Sequence, residues 1–226
     1  EDFEEDSNIN QNHENISIDD LIGLSGVKKQ IKRLCTFLAK KNVGISSKHM
    51  FFTGNPGTGK TTMARCLQQS LFENGVIEKN IFVETDKGGL CGRYVGHTAQ
   101  KTKQIFDKAR GGVLFIDEAY ALAANIDERK VDFGYEAIST LLKLMEDNRD
   151  SKIVIMAGYP EEMKSMLSVN PGLKSRIQFF LDFPNYNAQE LLAIFERILQ
   201  KNSYSLSLNA KTKILKSVPL AASFQA

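Results

Sequence analysis

The sequence predicts an α/β fold in which a parallel five-stranded sheet is flanked by helices. Three observations carry this. Five short apolar runs lack the polar alternation of a sheet with one wet face, so both of their faces are buried. Helical stretches alternate with these runs. A glycine-rich loop, GNPGTGKT, joins the first run to its helix. The 226 residues are 42% hydrophobic, enough for one domain of this kind with a substantial core.

Residues 1–17 read as a disordered acidic tail. The first fifteen hold six acids and no Lys or Arg, with too few apolar groups to repay ordering. The rest of the chain carries +8 against the net +2, dispersed among acids with no long basic run, so a nucleic-acid partner is not indicated. From Ser25, Val27, Ile31, Leu34, Phe37 and Leu38 recur at helical spacing, interleaved with Lys28, Lys29, Lys32 and Arg33. The strand candidates are Met50–Thr53, Ile81–Glu84, Val113–Ile116, Ile153–Ala157 and Ile177–Phe183. The helices fall near Lys60–Glu73, Thr98–Ala109, Phe133–Asp147 and Glu161–Val169. This α/β domain is expected over residues 18–184. Residues 185–226 begin a small helical unit with one amphipathic helix over Asn187–Asn202.

Cys35, Cys66 and Cys91 lie far apart with no C-x-x-C pair, which fits reduced thiols and a cytoplasmic location. His13, His49 and His97 are isolated and suggest no metal site. No apolar run reaches the roughly 18 residues needed to span a bilayer, so no membrane partner is expected. The chain begins at Glu1 rather than Met and is expected to be a fragment.

The stretch from Gly54 to Thr61 matches the phosphate-binding P-loop pattern in full, between a strand and a helix as that pattern requires. Its glycines let successive backbone N–H groups turn inward toward phosphate oxygens, and the helix that follows adds the positive end of its dipole. Asn55, Pro56, Gly57, Thr58, Gly59, Lys60, Thr61 and Thr62 are the candidate ATP-binding residues. Lys60 reaches the β- and γ-phosphates, and the Thr61 hydroxyl ligates a magnesium ion. VLFIDE, residues 113–118, is an apolar strand ending in two acids. Asp117 is expected to hold the metal, and Glu118 to orient or deprotonate the attacking water. The second acid favours hydrolysis over transfer of phosphate to a small acceptor.

With these motifs and CGRYVGHTAQKT between them, the chain resembles the AAA+ ATPases. The resemblance is to the group that contains red-type Rubisco activase, CbbX, and stage V sporulation protein K. It covers about Leu21 to Arg197, through LIGLSGVKKQI, FFTGNPGTGKTT, YVGHTAQKT, GGVLFIDEAYAL, FGYEAISTLLKLMEDNRD, AGYPEEM, NPGLKSRI and DFPNY. The resemblance implies a hexameric ring with ATP between neighbouring subunits. It also implies a helical lid and a client protein threaded through a central pore. Ile22 and Gly23 match the segment lining the adenine pocket, although the same residues also fit a hydrophobic lead-in packed on the core. Arg176 matches the arginine finger, with Arg149 a weaker second candidate. Tyr94, Val95 and Gly96 match the pore loop that grips substrate, against a reading in which Tyr94 tucks back onto its own core.

Two departures stand out. The position after Ile153–Ala157, where many AAA+ proteins keep a polar sensor, reads Gly158-Tyr159, so the sensor is Tyr159, another residue, or absent. The later lid helices and their sensor arginine have no counterpart before Ala226, which puts full ATPase activity of this chain in doubt. A remodelling ATPase therefore stands beside a non-catalytic adaptor, a P-loop kinase and a nucleic-acid motor. Client-stimulated hydrolysis would separate the remodeller from the adaptor, and salt-sensitive DNA binding would support the motor. The composition looks nearer the sporulation-type branch, and the client itself is not named by the sequence.

Overall fold

The computed structural model describes residues 16–40, 47–94, 96–123, 133–148 and 152–217. Its centre is a sheet of five parallel strands: β1 (His49–Gly54), β2 (Phe82–Thr85), β3 (Val113–Ile116), β4 (Ile153–Gly158) and β5 (Ile177–Phe183), in the order β2-β3-β4-β1-β5. All five lie on the predicted runs.

Strand side chains point alternately to the two faces, and this divides the core. Met50, Phe52, Val113, Phe115, Ile153, Ile155 and Ala157 face α1 (Ser25–Leu38) and α2 (Lys60–Glu73), where Ile31, Leu34, Met63 and Leu67 meet them. Phe51, Leu114, Ile116, Val154 and Met156 face the other way. There they pack with α4 (His97–Lys108), α5 (Phe133–Asp147), α6 (Pro160–Val169) and α7 (Pro171–Arg176). A short α3 (Lys87–Leu90) precedes α4. The apolar runs of β3 and β4 are buried throughout, as their composition requires. β5 departs from that expectation. It is an edge strand, and Phe180 stands 54% exposed.

Phe37 also departs from its expected place. It is 41% exposed, and Cys35 is buried instead. The two residues lie about 160° apart around α1, and Cys35 falls on the same side as the buried Val27, Ile31, Leu34 and Leu38, which leaves Phe37 beyond the opposite edge of that stripe.

Beyond β5 come α8 (Ala188–Lys201) and a second helix the sequence reading did not foresee, α9 (Leu208–Ser217). Asn187 and Glu190 close a capping box on α8, and Lys211 of α9 pairs with Glu196 at 2.7 Å. The lead-in to α1 is tied to α8, because the Arg197 guanidinium donates to the Asp20 carbonyl. Among the described residues no helix is long and apolar enough to cross a membrane.

Candidate functional site

In a parallel sheet the strand C-termini share one edge, and the candidate residues gather there. β1 ends at Gly54, β3 leads into Asp117, and β4 ends beside Tyr159. The loop after β1 turns through Gly57 (φ +71°) and Gly59 (φ +87°), left-handed conformations that favour glycine. Gly59 is also a close approach, since a Cβ there would stand 2.8 Å from the Tyr186 hydroxyl. Thr58 closes the loop by donating its hydroxyl to the Asn55 carbonyl at 2.8 Å, and the Asn55 side-chain amide donates to Asn185 at 2.9 Å. Asn55, Pro56, Gly57 and Thr62 are exposed, while Thr61 is half-buried in the first turn of α2.

Lys60 is buried and folds back into the loop. Its ammonium donates to the carbonyls of Gly54 at 2.7 Å and Asn55 at 2.9 Å. Burial lowers its pKa, and the nearby Asp117 and Glu118 charges oppose that shift, so these acids act on the lysine directly. The Asp117 N–H donates to the Thr85 carbonyl at 2.8 Å, which extends the β2–β3 ladder by one residue. Glu118 follows with φ 46° and ψ 41°, a left-handed conformation that is uncommon for a glutamate, and its N–H donates to Asp117 Oδ1 at 3.0 Å. Backbone strain of this kind concentrates at functional sites.

The donor set suits a magnesium ion. A half-buried threonine hydroxyl at 61 and the carboxylate at 117 are hard oxygen ligands. Magnesium commonly takes one or two protein oxygens and completes its shell with phosphate and water. Among the described residues no cluster of three or more His, Cys, Asp or Glu offers an all-protein metal site.

Ile22 and Gly23 are half-buried at the mouth of the loop. A Cβ on Gly23, itself at φ +66°, would stand 2.5 Å from Glu190 Oε1 and 3.2 Å from the Tyr186 ring. Tyr186 therefore bridges the lead-in, the phosphate loop and α8, a role the sequence reading missed although DFPNY lay within the quoted segments. Burial raises the Tyr186 pKa and the Glu190 charge adds to the shift.

Tyr94 is 69% exposed and lies edge-on to His97 at 5.7 Å; it does not pack on the core. Gly96, at φ +84°, caps the N-terminus of α4, and Val95 lies outside the described residues. The base of this loop is stapled to α4 by two buried threonines. Thr98 Oγ1 accepts from the Gly92 N–H at 3.0 Å, and Thr102 donates to the Leu90 carbonyl at 3.1 Å.

Arg176 is not part of this cluster. It precedes β5, whose first residue pairs with His49, whereas Phe183 pairs with Gly54. Five strand steps at about 3.3 Å separate the two ends, roughly 17 Å, so Arg176 does not reach the phosphate loop of its own chain. Its guanidinium pairs with Glu146 at 3.3 Å and donates to the Gly172 carbonyl at 3.1 Å. Arg149 lies outside the described residues.

A phosphate loop, an acidic strand end and a doubly covered parallel sheet define a P-loop nucleotide-binding protein. The family pattern for "ATPase family associated with various cellular activities (AAA)" matches residues 50–185, and the chain belongs to that family. It is 44% identical over 202 residues to stage V sporulation protein K of Bacillus subtilis (strain 168), covering 86% of this chain and 62% of that protein. It is 42% identical over 203 residues to protein CbbX of Cereibacter sphaeroides, covering 86% and 65%. It is 42% identical over 207 residues to the chloroplastic ribulose bisphosphate carboxylase/oxygenase activase of Cyanidioschyzon merolae, covering 88% and 70%. The chain thus spans less than two thirds of the length of the first two relatives. The FIGL-1 AAA domain in complex with ADP superposes with a TM-score of 0.65, covering 91% of this chain and 68% of that one. At 22% identity it shares the fold alone.

Proposed function

We propose that this chain hydrolyses ATP within a hexameric ring of its own copies and uses the energy to remodel a client protein. The observation that carries the reading is the separation of two half-sites. Lys60, Asp117 and Glu118 share the C-terminal edge of the sheet, while Arg176 stands at the opposite end. A guanidinium placed there would serve only a neighbour's nucleotide.

In this reading the loop from Asn55 to Thr62 wraps the phosphates, with Ile22, Gly23 and Tyr186 beside the base. Lys60 leaves its two loop carbonyls for the β- and γ-phosphates. Thr61 and Asp117 would hold the magnesium ion, which supplies charge neutralisation between those phosphates. Glu118 takes the proton of the attacking water as its oxygen bonds to the γ-phosphorus and the bond to the β-bridging oxygen breaks. Arg176 from the adjacent subunit stabilises charge on the transferring oxygens. Tyr94, Val95 and Gly96 would line the pore and grip an extended peptide by apolar contact, which needs no particular client sequence. Cys35, Cys66 and Cys91 form no disulfide with one another among the described residues, which fits the reduced thiols of a cytoplasmic setting.

The experiment is a trap. Glu118→Gln with saturating ATP should sediment as a ring of about six subunits. A particle that stays monomeric under those conditions would sink the ring.

A further inference from the structure

Arg176 reaches its place through an irregular junction. α7 ends at Arg176 and β5 begins at Ile177, and the ladder between β1 and β5 slips there. His49 pairs with Ile177 while Met50 pairs with Phe179, so Gln178 is an extra residue on β5. Bulges are rare between parallel strands, and they re-aim the side chains beside them. The Arg176 carbonyl belongs to the last turn of α7, where carbonyls have no partner within the helix. Ser47 supplies one. Its hydroxyl donates to that carbonyl at 2.5 Å and accepts from the His49 N–H at 3.2 Å. Ser47 and His49 are both buried, and His49 fixes the start of β1 to β4, because its Nδ1 accepts from the Val154 N–H at 3.0 Å. The Arg176 backbone is thus tied through Ser47 and His49 to two inner strands of the sheet. Its guanidinium keeps donors to spare. Nη1 bonds the Gly172 carbonyl at 3.1 Å and the Ser175 hydroxyl at 3.4 Å, and Nη2 pairs with Glu146 at 3.3 Å. Nε is buried without a partner among the described residues, so its own subunit does not saturate the side chain.

We propose that Ser47 and His49 are positioning residues for Arg176: by pinning its carbonyl beside the bulge, they aim the guanidinium at the nucleotide of the adjacent subunit. Neither touches a nucleotide. Their own subunit's phosphate loop follows the far end of β1, so they serve only the neighbour's reaction. Aim matters because an ångström of misplacement can cost about a hundredfold in rate. The inference rests on the proposed two-subunit site.

Ser47→Ala in the full chain removes the tie to the Arg176 carbonyl and little else. Its kcat should fall roughly 10-fold while KM for ATP stays within about threefold, because each subunit's own nucleotide loop is intact. Mixed rings then show which side of the boundary Ser47 serves. Glu118→Gln mixed with Arg176→Ala restores complete boundaries and sets the reference rate. Ser47→Ala added to the Glu118→Gln subunit, which donates Arg176, should lower that rate roughly 10-fold. The same change on the Arg176→Ala subunit should leave it unaltered. His49→Gln, placed on each side in turn, should repeat the asymmetry. A merely structural role would slow both mixtures alike, so equal losses, or no loss on either side, would overturn the proposal. A reference mixture without rescue would instead refute the two-subunit site, and the role given to Ser47 and His49 would fall with it.

Discussion

If Arg176 acts across a subunit boundary, two inactive variants should rescue each other. Glu118→Gln lacks the base but keeps Arg176, and Arg176→Ala lacks the finger but keeps Glu118. Loss of a general base costs roughly 10²- to 10⁴-fold and loss of an arginine finger roughly 10³- to 10⁵-fold, so each variant alone should run at about 1% or less of the wild-type rate. In an equal mixture an active boundary needs an Arg176→Ala subunit supplying Glu118 and an adjacent Glu118→Gln subunit supplying Arg176. Random assembly gives that order at about one boundary in four, so the mixture should recover roughly a quarter of wild-type phosphate release. The strand register sets the direction of this result, because β5 begins level with His49 and ends level with Gly54. Arg176→Lys, which keeps a charge near Glu146, should behave as Arg176→Ala does if the planar fork matters. The assay is steady-state phosphate release after the mixed subunits have re-equilibrated. A mixture no faster than the average of its components would refute the two-subunit site.

His49 predicts acid sensitivity. It is buried, its Nδ1 accepts from the Val154 N–H at 3.0 Å, and burial pulls its pKa from 6.5 to about 4. The Arg176 charge lowers the pKa further, and the Met145 backbone opposes the shift without completing a bond to Nε2. The unfolded chain binds the extra proton first, so stability falls as pH drops from 6.5 toward 4 and the loss levels off below that. The shift is worth on the order of 3 kcal/mol. The stability gap between wild type and His49→Gln in urea melts should therefore narrow by about that much between pH 7 and pH 4; an unchanged gap would mean His49 is not held neutral. Tyr94→Ala removes an exposed ring, so its stability should stay within about 0.5 kcal/mol of wild type and its ATP affinity should hold, while client-stimulated turnover is lost. Weakened ATP binding would instead make Tyr94 structural.

How far the sequence could be read depended on how local each signal was. The buried strands stood out because runs such as VLFI and IVIMA have no wet face. The phosphate loop stood out because its spacing is fixed by the ligand it wraps. The six residues of α7 and the four of α3 are too short to show a period. α9 is mostly polar and presents little apolar stripe. The placement of Tyr186 against Gly23 and Gly59, and of Tyr120 against Gly158, joins segments far apart in the chain. Within the sequence, Gly158 was only a missing polar residue. Phe37 misled because it follows Leu34 at i+3, yet it lies roughly 100° around α1 from the centre of the buried stripe.

In the proposed function the loop between β1 and α2 holds ATP for hydrolysis by Glu118. The most direct measurement is ATP affinity and single-turnover hydrolysis on the same samples of wild type and Glu118→Gln. The two affinities should agree within about threefold, and the variant should hydrolyse ATP at least roughly 100-fold more slowly. Equal hydrolysis rates, or a variant that no longer binds ATP, would contradict it.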